Sequence, residues 1–170
     1  VNESNDSITQ DIEIDFDLEN LSIGSYNLSI NCTDEFNFST ITPAFTITVL
    51  SMKEFNGTTT NTSVTDLRDI TYFALENTHA GQINFSNSSN HTDLSRGFDL
   101  DSFINISFNK ISLDSAALRE LNKSATLKLY GLTFSNPRIA KDGVVCPSDI
   151  CRKISYTGGV LTFNVSHFSS

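Results

Sequence analysis

The chain has 170 residues, 38% of them hydrophobic, with thirteen Phe and no Trp; this is one large or two small domains with ordinary cores, too apolar for a disordered tail. Eleven Lys and Arg against twenty Asp and Glu give a net charge of −9, which excludes the clustered cations that nucleic-acid phosphates require. No run approaches the eighteen or so apolar residues of a membrane helix, and the start Val1-Asn2-Glu3-Ser4 is polar, so neither a transmembrane segment nor a signal peptide is expected within the chain.

Period-two alternation of apolar and polar residues dominates, the mark of half-buried strands. Ile12, Ile14, Phe16 and Leu18 alternate with Glu13, Asp15 and Asp17. Leu28, Ile30 and Cys32 alternate with Asn27, Ser29 and Asn31, and Phe45, Ile47 and Val49 with Thr46 and Thr48. Residues 1–50 are thus predicted to hold three strands, whereas a complete immunoglobulin-type sandwich takes about seven. Residues 51–63, dominated by Thr, Asn and Gly, read as a linker. Residues 64–170 read as a second unit, with strands expected at 70–75, 82–86, 103–108, 125–134, 154–156 and 160–168. One short helix is expected over 114–121, capped by Asp114 or Ser115. Asp142-Gly143 and Gly158-Gly159 are tight-turn pairs. The predicted fold class is all-β: two β-sandwich-like units, the first an incomplete immunoglobulin-like half, with one short helix in the second.

Fourteen of the seventeen asparagines open the triplet Asn-x-Ser/Thr with x not proline, the acceptor for N-linked sugars. They are Asn2, Asn5, Asn20, Asn27, Asn31, Asn37, Asn56, Asn61, Asn84, Asn87, Asn90, Asn105, Asn122 and Asn164. Ser and Thr content alone would place roughly four asparagines in such triplets. Polar choices on exposed strands explain an outward Asn, but not the hydroxyl residue two positions later in every case. Asn84, Asn105 and Asn164 each lie between apolar neighbours, so alternation points the neighbours inward and the Asn outward, where a sugar is tolerated.

Cys146 and Cys151 bracket a four-residue loop. The spacing suits a small disulfide in an oxidising compartment, worth roughly 2 kcal/mol in loop entropy; half of a zinc site is the rival, and it lacks a second ligand pair nearby. Cys32 is left over and is expected to pair with another chain or segment. His79, His91 and His167 are widely separated, and His167 continues the inward alternation of Leu161, Phe163 and Val165. Asp34-Glu35, or Asp99 with Asp101, could contribute to a calcium site, although solvated turn carboxylates are the default reading. No cofactor is expected beyond covalent glycans. No nucleophile, base and oxyanion site is assembled, so enzymatic activity is not expected.

The segment 24–34, opening Gly24-Ser25-Tyr26 and closing Thr33-Asp34, together with 45–50 resembles the last two strands of immunoglobulin-like repeats in prokaryotic surface proteins. Segments 118–130, 142–151 and 158–165 resemble a β-rich repeat of large, sequon-dense archaeal surface proteins. The resemblance implies an extracellular or cell-surface structural or adhesive role. The expectation is a structural subunit or repeat of a heavily N-glycosylated filament or surface layer, whose partners are copies of itself joined by β-strand contacts. The alternative is a binding module of an adhesin or receptor stalk, which an aromatic-lined groove would favour; the thirteen Phe are expected mostly at inward positions.

Overall fold

The computed structural model of the chain describes residues 21–34, 36–63, 65–85 and 91–169. The strand expected at 12–18 lies outside them. The described residues are all-β. In chain order come β1 (Gly24–Leu28), β2 (Asn31–Thr33), β3 (Ser39–Ile41), β4 (Phe45–Val49), β5 (Ala74–Asn77) and β6 (Gly81–Asn84). Then follow the single-turn helix α1 (Leu100–Phe103), β7 (Ile104–Ser107), β8 (Lys110–Leu113) and a 3₁₀ turn (Arg119–Leu121). The chain ends with β9 (Ala125–Leu129), β10 (Ala140–Lys141), β11 (Val144–Val145), β12 (Cys151–Thr157) and β13 (Val160–Val165).

One antiparallel sheet of order β12-β13-β9-β6-β5 organises the second unit. Its register aligns Ile83, Leu127 and Phe163 across three strands, and Leu129 with Leu161. These residues are buried because period two sends them to one face, and each stabilises the fold by about 1.5–3 kcal/mol. The hairpin β7–β8 lies against β5 and β6 through β7. Ile104, Ile106, Leu113, Leu100, Leu118 and Leu121 join the same core. Gly81 is needed where the backbones approach: a Cβ there would sit 2.3 Å from the Lys128 carbonyl oxygen.

The turns follow their chemistry. Asp142 and Gly143 (φ 52° and 81°) join β10 to β11, and Gly158 and Gly159 (φ 59° and 77°) join β12 to β13. Two successive left-handed residues give the hairpin turn whose twist matches its strands. Between β7 and β8 the turn has a single left-handed residue, Asn109 (φ 57°), a conformation Asn tolerates.

In the amino-terminal part, β1 pairs with β4 and β2 with β3, as separate two-stranded sheets. The strand expected at 27–32 is therefore split. Ile30 leaves the ladder to exchange bonds with Thr42, its N–H to Thr42 Oγ1 and its carbonyl to the Thr42 N–H (both 2.9 Å). This part meets the second unit directly. Thr48 Oγ1 donates to the Ser95 carbonyl at 3.0 Å, and Ser51 forms a parallel bridge with Asp99.

Residues 51–63, expected as a linker, are hydrogen-bonded along the outer edge of β5. Asn56 N–H reaches the Glu76 carbonyl (2.7 Å) and Thr60 N–H the Ala74 carbonyl (2.9 Å). The helix expected over 114–121 is a turn plus the 3₁₀ segment. Asp114 closes the turn, its Oδ1 accepting from the N–H groups of Ala116 and Ala117 (2.9 and 3.0 Å), whereas the 3₁₀ segment begins after Leu118 with no side-chain cap. Leu118 and Leu121 are both buried, and the three-residue period of a 3₁₀ turn puts them on one side. The only α-helix among the described residues is α1, capped by Asp99. Expected strand 125–134 stops at Leu129, after which Gly131 turns the chain with φ 67°.

Replacing fully buried Ile83 with Ala is expected to cost about 2–5 kcal/mol in urea unfolding. Ile154→Ala, at a position 55% exposed, should stay within about 0.5 kcal/mol. Equal losses would refute this assignment of the core.

Candidate functional site

The glycosylation triplets are the most numerous candidate feature, and the strands decide where their asparagines point. Ile83, Phe85, Ile104, Ile106, Phe163 and Val165 are buried. Between them Asn105 is exposed, and Asn84 and Asn164 are half-buried. Asn27, Asn31, Asn37, Asn56, Asn61 and Asn122 are exposed. Asn2, Asn5, Asn20, Asn87 and Asn90 lie outside the described residues.

A sugar attaches at the side-chain nitrogen, so the hydrogen bonds of each amide bear on acceptance. The amide oxygen of Asn27 takes a bond from Thr46 Oγ1 (3.0 Å), and that of Asn56 from the Thr78 N–H (2.9 Å). Asn61 accepts from the Ser63 N–H (3.1 Å), Asn122 from the Phe168 N–H (3.0 Å) and Asn164 from Thr126 Oγ1 (2.8 Å). In each case the oxygen is engaged, and the nitrogen can be substituted without breaking that bond. On the polar face of the sheet, Asn84, Thr126 and Asn164 stand opposite one another across β6, β9 and β13.

The amino-terminal sheets carry a second feature. Tyr26, Leu28, Ile47 and Val49 share one face and are half-buried, with Phe45 exposed at its end. Phe36 and Phe38, in the turn between β2 and β3, are 71% and 76% exposed, and Ile41 is 64% exposed. With Phe103, Phe108 and Phe134 also exposed, the expectation that the phenylalanines mostly point inward does not hold. They cluster in turns and strand ends, where alternation does not govern. Cys32 is half-buried in β2 opposite Thr40, with a free thiol.

Cys146 and Cys151 form the disulfide, with Cα atoms 5.8 Å apart. The Pro147 carbonyl accepts from the N–H groups of Ile150 and Cys151 (3.1 and 2.8 Å), closing the turn. The bond fastens β11 to the start of β12. A disulfide of this kind points to an oxidising compartment. No described helix is long and apolar enough to cross a membrane.

The other sequence candidates are drawn into structural roles. Asp99 Oδ1 caps α1 from the Ser102 N–H (3.1 Å). Asp101 faces the other way, accepting from Ser51 Oγ and from the N–H groups of Lys53 (2.9 Å) and Glu54 (3.0 Å). Asp34 Oδ1 takes the N–H groups of Phe36 and Phe38, both at 2.9 Å; Glu35 lies outside the described residues. Among the described residues no three His, Cys, Asp or Glu side chains converge on a metal position. His91 contacts Asp69, and His79 is exposed. His167 is exposed rather than inward: β13 ends at Val165, and Phe168 takes the buried position.

Sequence reasoning missed the one buried carboxylate among the described residues. Glu76 is 8% exposed. Its Oε2 accepts from the Thr58 N–H and hydroxyl (2.5 and 2.7 Å), and its Oε1 from the Tyr130 hydroxyl (2.8 Å). Gln82 Nε2 donates to Thr58 Oγ1 at 2.5 Å. Burial opposes the charge, but these hydrogen bonds outweigh it and hold the carboxyl below its ordinary value. Asp101 is lowered by the same balance, burial against bonds from Ser51, Glu54 and Lys53. Burial, then the Glu76 bond and charge, push the Tyr130 hydroxyl upward. The arrangement ties the segment around Thr58 to the sheet.

The chain has no significant match among protein-family models, curated proteins or solved structures.

Because the folded pKa values of Glu76 and Asp101 lie below their unfolded ones, their stabilisation is complete above the ordinary carboxylate value of about 4. It is lost as pH falls through the lowered folded values. Urea midpoints measured from about pH 7 to about pH 3 should fall, and fall less in Glu76→Gln. An unchanged acid profile in that variant would remove Glu76 from this account.

Proposed function

We propose that the chain is a structural subunit or repeat of a heavily N-glycosylated extracellular filament or surface layer, assembling through β-strand contacts between copies. The observation that carries this reading is the placement of the acceptor asparagines. Those among the described residues are exposed or half-buried, while the apolar neighbours of Asn84, Asn105 and Asn164 are buried. A fold under such a coat keeps its polar strand faces for sugar. The disulfide supports an oxidising, extracellular setting. The exposed Phe36, Phe38 and Ile41 support contact with a further protein surface, since clustered apolar exposure marks interaction sites.

The resemblance to repeats of sequon-dense archaeal surface proteins agrees with this assignment. The reading involves no catalysis and no metal. The same exposed phenylalanines favour the second reading, an adhesin or stalk module that recognises a partner through its loops. Electron micrographs of native material separate the two: ordered fibres or lattices support assembly, and isolated stalks support adhesion.

Most of the fourteen acceptor asparagines should carry glycan in protein isolated from its source, with Asn27, Asn56, Asn61 and Asn105 among them. Glycopeptide mass spectrometry finding fewer than about four occupied sites, the number chance would supply, would end the sugar-coat reading.

A further inference from the structure

On the apolar face of the main sheet lies a groove of about 710 Å³. Leu127, Leu129, Leu161 and Phe163 form its floor, each less than a tenth exposed, and the more open apolar lining is Ile111 on β8 with Phe134 and Ile139 on the other wall. The segment that carries Phe134 is fixed to β12 by Tyr156, whose hydroxyl donates to the carbonyls of Leu132 and Phe134 (3.0 and 2.6 Å). The near wall is β8 itself. It pairs with β7 on one side, and its other edge makes no ladder among the described residues. A two-stranded hairpin thus stands over a five-stranded sheet, and the layer stops short where the groove begins.

The rim is basic in an acidic chain. Lys110 and Arg138 line it, are exposed, and have no ion-pair partner among the described residues. Lys141 also lines the groove but pairs with Asp142 at 3.4 Å. Asp142 itself lines the groove beside Lys141, and His167 completes the titratable groups facing the space. A strand that fits must therefore be apolar on one side and acidic on the other.

The chain contains such a segment. Ile12, Ile14, Phe16 and Leu18 alternate with Glu13, Asp15 and Asp17, flanked by Asp11 and Glu19, with no Lys or Arg among them. We propose that the groove takes residues 12–18 of a second copy as a strand added beside β8. Its apolar residues then pack against Ile111, Phe134 and Ile139 above that floor, and its carboxylates meet Lys110 and Arg138. Main-chain bonds to an open edge supply affinity, and the alternating side chains supply register. This occupancy rests on the assembly reading above and gives it a joint. If each copy donates its segment to the next, the contact is head-to-tail and the polymer stays open.

The test uses the full chain. Unlabelled and heavy-nitrogen-labelled chains are unfolded together in urea with the disulfide intact, refolded together and concentrated. They are then treated with a carbodiimide, which joins a carboxylate to an adjacent amine. The expected products link Glu13, Asp15 or Asp17 to Lys110 or Lys141 in isotope-mixed pairs. Phe16→Asp should abolish those pairs and weaken assembly by about tenfold or more, because it places a carboxylate against an apolar lining; its circular dichroism should be unchanged. Isotope-pure pairs alone would show that each chain fills its own groove, and would overturn the proposal. Polymers that form equally well with Phe16→Asp and cross-link elsewhere would also overturn it, leaving assembly itself standing. A wild-type chain that stays monomeric at every concentration, without these pairs, would remove both.

Discussion

The buried carboxylate of Glu76 is the interaction on which the rest of the second unit depends. It stands on the polar face of the sheet, where an unpartnered charge would cost several kcal/mol. Its solution is to recruit donors from far along the chain: Thr58, eighteen residues back, and Tyr130, fifty-four residues on. Satisfying the charge therefore lays residues 55–60 across the sheet. The same segment closes the outer edge of β5 through Asn56 and Thr60, which removes an open edge that would invite pairing with other chains. Gly57 fits this junction alone: its φ is +58°, and a Cβ would lie 2.4 Å from a Glu76 carboxylate oxygen. Upstream, Asp101 gathers the 51–54 turn by the same device. The passage from β4 to β5 is thus held by two carboxylates as well as by apolar packing, with Ile70 and Phe73 buried in the core and Leu50, Met52, Phe55 and Leu67 against it.

This explains which parts were legible in the sequence. The Asp142-Gly143 and Gly158-Gly159 turns, and the alternation around Asn84, Asn105 and Asn164, are local signals, and a strand or hairpin follows from a few adjacent residues. All-β architecture follows from repeating that signal. The Glu76 network is not local. Thr58 sits in a polar stretch indistinguishable from a linker until its partner on β5 is known. The split at Ser29 and Ile30 is likewise invisible, because the Leu28-Ser29-Ile30 alternation continues while the hydrogen bonds change partner to Thr42. At residues 118–121 the Ala- and Leu-rich stretch forms only a single 3₁₀ turn, with Leu118 and Leu121 buried on one side. The acceptor asparagines were legible as a pattern, whereas the engagement of their amide oxygens depends on residues such as Thr46, Thr78 and Phe168 that only the fold brings near.

The edges and faces of the sheet divide the surface by what can approach it. A sugar on Asn84 and another on Asn164 would stand on the same face with only β9 between them, a spacing of about 10 Å at ordinary strand separation. Such a hydrated pair would keep any second protein off that face. β12 is the sheet's outer strand on the far side, and it is guarded differently. Arg152 and Lys153 are exposed on it, and its register with β13 shifts between Lys153 and Ser155, the charge and bulge that discourage edge pairing. The β5 edge is closed by residues 51–63 and the β12 edge is charged and kinked; were the polar face sugared as proposed, close contact between copies would be channelled elsewhere. Among the described residues, the surfaces that stay open include the amino-terminal turn bearing Phe36 and Phe38, the β10–β11 hairpin with exposed Val144 and Val145, and the unpaired side of β8. On the proposed assembly, a coat of sugar and a guarded edge would act as specificity devices, leaving a polymer few ways to form.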